Sequence, residues 1–290
     1  MTPVMRFDHH HTRMRHGTFL EYKKFRYLKL ATLVSVASIA AYVFHKPPVT
    51  PYGGTWLGYT LGTIGALLIL MLLWFGVRKR QYSAADANLQ GWLSAHVYLG
   101  VSLIIIATLH TGFEVGWNVH TLAYVLMLGV IFSGFYGIYS YVRFPSMITG
   151  NMAEDSFDSI MLKISTLDSE ARKIAMRLPD HLVLAVQAAA QGTIIGGGLF
   201  TQVTGRQRNC PTTAALTIIQ KGGADLKGDA AKHNHELYSV MLQRKRLVDR
   251  ARADISYRAR MSIWLFFHVP LSIALLAALA AHIVSVFFYW

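Results

Sequence analysis

Five long apolar blocks, separated by polar connections, dominate the pattern of hydrophobic and polar positions along the chain. They fall at 28–45, 55–77, 91–112, 119–142 and 261–289. Each block is close to the roughly 20 apolar residues that a helix needs to cross a hydrocarbon layer about 30 Å thick. Nearly all charged residues lie outside the blocks. The pattern therefore predicts an all-α integral membrane protein with five transmembrane helices.

The segment between the fourth and fifth blocks is mixed in composition and predicts a mainly helical insertion. We expect a helix that opens at Leu167 with an acidic first turn and stops near Pro179, and a second over 180–191 that ends at Gly192. Loops are expected at Gly196–Gly198 and at Cys210–Pro211. From Ala230 a charged helical pattern reaches Arg260 and allows one unbroken helix into the fifth block. The predicted organisation is an amino-terminal arm (1–27), helices one to four (28–142), the insertion (143–259) and helix five (260–290).

The net charge of +13 raises the question of nucleic-acid binding, but the placement of the charge argues against it. With five spans, every Lys and Arg except Lys46 falls on one face of the membrane. An excess of Lys and Arg marks the cytoplasmic side. We therefore predict a multi-pass protein of the cell (inner) membrane, with a cytoplasmic amino terminus, an outside carboxyl terminus and contacts to anionic lipid. The first block lacks a small-residue cleavage site, so it is expected to be a retained span.

The histidines inside two of the apolar blocks are the most informative candidates for a functional site. His96 and His110 lie 14 residues apart in the third block, and His268 and His282 have the same separation in the fifth. At 100° per residue, 14 steps come within about 40° of whole turns, so both histidines of a helix point to nearly the same side. They lie about 21 Å apart along the axis, one near each edge of the hydrocarbon layer.

Helices three and five are both entered from the predicted cytoplasmic side, so they run parallel. His96 then lies at the depth of His268, and His110 at the depth of His282. Two facing imidazoles at each of two depths match the axial ligation of two six-coordinate haems, because neutral imidazole is a good iron ligand. The alternative is that each histidine is a buried polar residue bonded to a neighbouring helix. Four at equal spacing on two co-directional helices favour haem, since ionisable groups inside a membrane are usually functional.

These paired helices, with 13 residues between their histidines, resemble the core of the di-haem cytochrome b family of quinol-oxidising complexes. They are also similar to the transmembrane ferric reductase and NADPH oxidase family. The resemblance covers 91–142 and 261–289 and is one of spacing. It implies a haem-binding helical bundle, two haem b ligated by His96, His110, His268 and His282, and electron relay between the haems.

Weaker candidates surround these histidines. Arg143, Arg258 and Arg260 are predicted either to bond haem propionates or to serve only as membrane-edge anchors. His120, near Glu114 and His45, is predicted to form an outer quinone or proton site, unless it is an interfacial histidine of no special role. Glycines in the second and fourth blocks, among them Gly62 and Gly137, either admit haem planes or allow close helix packing. His9, His10 and His11 leave weak metal binding by the arm open.

Missing motifs limit the function. The chain has no GxGxxG after a predicted strand and no Walker A pattern, and its single cysteine excludes a cysteine-ligated cluster within one chain. Electrons from a soluble donor would therefore arrive through a peripheral redox subunit. The leading hypothesis is the electron-transfer subunit of a membrane oxidoreductase complex that uses a quinone or an outer acceptor. A self-standing ferric-reductase-like protein and a non-haem proton or metal transporter are the alternatives.

Overall fold

The computed structural model describes residues 19–47, 52–79, 87–152 and 155–288. Most of the predicted basic arm, including His9, His10 and His11, lies outside the described residues. Within those residues the chain is α-helical and contains no β-strand. It divides into two compact units, the first formed by Met1–Gly134 with His268–Trp290 and the second by Phe135–Phe267.

Long apolar helices form the first unit. Five helices of the described chain are long and apolar enough to cross a membrane, as the five apolar blocks predict. They are α1 (Arg26–Phe44), α2 (Trp56–Lys79), α3 (Ala87–Thr111), α4 (Val119–Met152) and α9 (Asp229–Phe288). The first three helices end within a few residues of the predicted blocks, whereas α4 and α9 continue far beyond them.

Packing in the first unit centres on α3, which contacts both α1 and α2. On its buried face, Leu103 packs with α2 and with the segments of α4 and α9 that belong to this unit, and Ile106 packs against α2. The opposite faces of the helices remain apolar and exposed, for example at Leu33 and Val43 of α1. An exposed apolar surface this extensive is unfavourable in water and marks an interaction with lipid or protein.

In the second unit, α4 and α9 pack antiparallel along a regular register. Three pairs meet: Gly137 with Trp264, Phe144 with Tyr257, and Asn151 with Arg250. From one pair to the next, the residue number rises by seven on α4 and falls by seven on α9, and seven residues make about two helical turns. Both helices run without a break through the predicted boundaries at 142/143 and 259/260. The unbroken helix predicted from Ala230 into the fifth block is confirmed.

A polar clamp closes this contact at the end of α4. The Asn151 side chain donates to the Arg250 carbonyl at 2.7 Å, and the Arg250 guanidinium donates back to the Asn151 carbonyl at 2.7 Å. Asp155 accepts from Lys163 and lies beside Arg250. The hydrogen bond from Lys163 holds the pKa of Asp155 below its ordinary value. These bonds satisfy carbonyls that the end of α4 would otherwise leave without partners.

Four shorter helices complete the second unit. They are α5 (Phe157–Ala175), α6 (Asp180–Gly192), α7 (Leu199–Thr204) and α8 (Pro211–Gly222). The predicted helix over 180–191 is confirmed. The predicted start at Leu167 is wrong, because the Ser156 hydroxyl caps the helix by accepting from the Ser159 amide, and Ile160 and Ile164 are buried against α9.

The loop predicted at Cys210–Pro211 is also only half right. Pro211 is the first residue of α8, a position where its missing N–H costs nothing and its fixed φ favours the helix.

Candidate functional site

The structure brings the four candidate histidines of the apolar blocks together as two pairs, all within the first unit. The ring centroids of His110 and His282 lie 6.0 Å apart, with the ring planes at 88°. His268 is an electrostatic neighbour of His96. All four side chains are half-buried. His110 on α3 thus faces His282 on α9, and His96 has His268, 14 residues before His282, as its neighbour.

The His110 ring is held by the glycine-rich face of α2. Its Nδ1 lies 2.8 Å from the carbonyl oxygen of Gly58. A carbonyl can only accept, so Nδ1 carries the hydrogen and Nε2 carries the lone pair. A Cβ on Gly62 would lie 2.7 Å from Cε1 of this ring, whereas one on Gly65 would come no closer than 3.6 Å to any neighbour. Gly62 therefore makes room for an imidazole, a third outcome beside the two predicted for these glycines, whereas Gly58 makes room for the backbone of Tyr52 and Gly53.

His268 has a hydroxyl as its partner. Its Nδ1 lies 2.6 Å from the Ser133 Oγ, and this hydroxyl donates its hydrogen to the Val130 carbonyl at 2.7 Å. The Ser133 oxygen therefore accepts from Nδ1–H, and Nε2 again carries the lone pair. Sequence reasoning missed Ser133, because the apolar block also contains Thr121 and Ser140 and nothing local marks one hydroxyl as a histidine partner.

His282 contacts a third histidine rather than a backbone group. Its Nδ1 lies 2.5 Å from Nδ1 of His120, and the ring centroids are 4.6 Å apart. One nitrogen donates and the other accepts, so a neutral pair has its remaining proton on an Nε2. Among the described residues, neither Glu114 nor His45 shares a hydrogen bond with His120. The structure thus places His120 on His282, and His45 edge-on against Trp56.

His96 is the least constrained of the four. Its Nδ1 is buried and has no well-aligned hydrogen-bond partner within the described part of the chain, although the Leu72 backbone is a polar neighbour. Phe75 packs on the ring at a centroid distance of 5.0 Å. A buried ring nitrogen without a partner is costly, and either a bound group or a small rotation of the ring would remove that cost.

The separation of one pair fits a metal held between two imidazoles. Two nitrogens about 2 Å from one metal on opposite sides hold their ring centroids about 6 Å apart, which is the separation of His110 and His282. Histidine ligands usually donate Nδ1–H to a second partner, which fixes the tautomer and ring orientation. Gly58 and Ser133 provide such partners.

The three candidate propionate ligands lie in the second unit. Nε of Arg258 donates to Asp254 at 2.9 Å, and Nε of Arg260 donates to the Val203 carbonyl at 2.9 Å. Arg143 is exposed. Two of the three guanidinium groups therefore already have protein partners, which for these two favours the alternative that they serve as membrane-edge anchors.

Compared with known protein families, with curated proteins and with solved structures, the chain gives no match in any of the three. No relative therefore supplies a function by similarity. The histidine geometry and the apolar helices that carry it are the features that bear on function.

Proposed function

We propose that this chain is a di-haem b-type cytochrome of the cell membrane. It would act as the electron-transfer subunit of a membrane oxidoreductase complex, between a quinone or an outer acceptor and a peripheral partner. The observation that carries the proposal is the pairing of histidines at equal spacing on α3 and α9, with Nδ1 of His110 and of His268 directed at a neighbouring acceptor.

The chain's own residues would bind and orient the two groups. His110 and His282 would hold one haem b, and His96 and His268 the other. A bound haem b supplies a one-electron iron couple. The Gly58 carbonyl and the Ser133 hydroxyl fix the ring tautomers, and His120 orients His282. Apolar side chains such as Ile106 and Leu109 exclude water around the His110 side of the bundle, which lowers the local dielectric.

The membrane location rests on the five apolar helices and their exposed apolar faces. Arg143, Arg258 and Arg260 follow or precede these apolar stretches, where basic residues favour the cytoplasmic side. This supports a cytoplasmic amino terminus, a cytoplasmic insertion (143–259) and an outside carboxyl terminus. The insertion would then be the docking platform for a peripheral redox subunit. If its deletion left partner capture unchanged, that docking role would be wrong.

The direct test is a pyridine haemochrome assay on the purified chain, with a reduced-minus-oxidised spectrum. We expect two haem b per chain. A well-folded preparation that has been supplied with haem and still binds none would overturn the proposal and favour the proton or metal transporter. Quinol oxidation and reduction of outer acceptors, measured on the single chain, would then separate a complex subunit from a self-standing reductase.

Gly62→Ala is expected to remove most of the haem held by His110 and His282. The new methyl group would overlap the His110 ring, so the ring must leave the Gly58 carbonyl. Gly65→Ala is the matched control on the same helix, because its Cβ meets only ordinary contacts. Haem per chain should fall toward one in the first variant and stay at two in the second. Equal haem content in both variants would contradict the position assigned to the His110 ring.

His120→Ala is expected to loosen the same haem without abolishing its binding. His120 would be a positioning residue that touches only the ligand His282, and loss of such partners typically costs about 10–100-fold in metal affinity. The rate of haem transfer to an apo-acceptor protein would measure this loss. His120→Gln, which keeps a hydrogen-bonding side chain, should restore part of the affinity. His45→Ala is the control and should change nothing; an effect as large as that of His120→Ala would contradict the assignment.

A further inference from the structure

Residues 193–210 of the second unit form an excursion along α9, which we name the α7 loop. Its two ends are tied to Arg252, which donates to the Ile194 carbonyl at 2.7 Å and also bonds the Gln207 side chain. Its middle is tied further along the same helix, because the Val203 carbonyl accepts from both Ser256 and Arg260. A helix rises 1.5 Å per residue, so the bond to Arg260 lies about 12 Å beyond Arg252. Helix α7 is thus the tip of the excursion.

The tip lies at the level where α9 turns apolar. Arg260 is the last charged residue of the helix, and the exposed side chains of Leu265, Phe266 and Phe267 follow it. On α4, the Phe144–Tyr257 contact puts Arg143 at the level of Arg258. Basic side chains next to exposed tyrosines, here Tyr139 and Tyr141, are typical of the border between lipid and water.

The tip itself presents an apolar surface that the second unit does not cover. Phe200 is 81% exposed and Leu199 is 66% exposed. Burial of one such side chain contributes about 1.5–3 kcal/mol, so leaving two adjacent ones in water is unfavourable. Arg206 and Arg208, just after α7, are also exposed. Apolar residues beside basic ones are the composition of segments that lie in a membrane surface.

We propose that α7 is a membrane-surface anchor. Leu199 and Phe200 enter the interfacial layer of the bilayer, and Arg206 and Arg208 contact anionic lipid headgroups. The Val203 bonds to Ser256 and Arg260 hold the tip at that depth. The anchor ties the insertion to the membrane at a point separate from α4 and α9. This inference rests on the proposed membrane location of the chain and is independent of haem.

Spin labels on single cysteines test the anchor in the full chain. Cys210→Ser gives a background in which the serine hydroxyl can still accept from Arg252. Phe200→Cys and, as a second variant, Leu199→Cys report on the tip. Leu162→Cys, on α5 and 70% exposed, is the matched water reference, and Ile273→Cys, in the apolar part of α9 and 61% exposed, is the lipid reference. The labelled proteins are placed in bilayer discs that contain phosphatidylserine.

Collisions with oxygen, which concentrates in lipid, and with a water-soluble nickel chelate are then compared. We expect the oxygen-to-nickel ratio at 199 and 200 to shift from the value at 162 toward the value at 273. If 273 is lipid-exposed but the tip matches 162, the anchor is wrong and the membrane location stands. If 273 itself is water-exposed, both are wrong. A tip shielded from both reagents is covered by protein, which also overturns the anchor.

Discussion

Replacing His282 by alanine is expected to halve the haem content of the purified chain, from two haem b to one. In our proposal each haem needs one histidine from α3 and one from α9, and His282 faces His110. His110→Ala should therefore remove the same haem and leave the same residual spectrum. His96→Ala or His268→Ala should remove the other haem. Pyridine haemochrome analysis and the reduced-minus-oxidised spectrum measure both the amount and the identity of what remains.

Double variants test directly which histidines share a haem. His110→Ala with His282→Ala should resemble either single variant, whereas His96→Ala with His282→Ala should leave no haem. His235→Ala, on an exposed residue of the second unit, should retain both haems. The assignment is wrong if the residual spectra pair His110 with His96. It is also wrong if all four single variants keep two haems.

Arg244→Ala is expected to unfold the second unit locally, at a cost of about 3–5 kcal/mol in free energy of unfolding. Arg244 is 2% exposed, and its guanidinium donates four hydrogen bonds. It bonds both carboxylate oxygens of Asp168, at 2.5 and 3.3 Å, the Ala189 carbonyl at 3.1 Å, and the Thr212 hydroxyl. It therefore ties α5, α6 and α8 to α9. Its removal takes the guanidinium away from the Asp168 carboxylate and the Ala189 carbonyl, whereas the Thr212 hydroxyl keeps its hydrogen bond to Thr193.

Hydrogen exchange resolves this effect by segment. Backbone amides of α5, α6 and α8 should lose protection by about two to four orders of magnitude, because 1.4 kcal/mol corresponds to a factor of ten. Lys245→Ala is the matched control, since its ion pair with Asp249 is exposed and worth about 0.2–1 kcal/mol. A loss of protection no larger than in this control would contradict the structural role of Arg244. Arg244→Met with Asp168→Leu should recover part of the loss, because no unpaired charge remains.

Helix α5 illustrates where the sequence reading failed. The acidic residues near Leu167 resemble the first turn of a helix, yet they lie in the middle of one. The actual start follows from the Ser156 cap together with Ile160 and Ile164, which are buried against Val248 and Ala251 of α9. Acidic residues are compatible both with the first turn of a helix and with its interior, because helix propensities differ little between these positions. Burial against a distant helix therefore decides where the helix begins.

The candidate site also combines features that the sequence predicts with features that it does not. The spacing of His96 and His110, and of His268 and His282, predicts their common side because helical periodicity is a local property. The partners of these rings come from other helices: the Gly58 carbonyl from α2 and the Ser133 hydroxyl from α4. A backbone carbonyl carries no signature in the sequence, and a serine in an apolar block has many possible roles.

The amino-acid sequence alone is enough to specify the five apolar helices, the insertion between the last two and the equal spacing of the histidines, because these features follow from the length and periodicity of apolar runs. The packed structure was needed to show which nitrogen of His110 and of His268 carries its proton, that His120 contacts His282, and that the α7 loop reaches the level of Arg260. Each of these is a contact between residues far apart in the chain. Such contacts depend on how whole helices pack, and no local pattern specifies that.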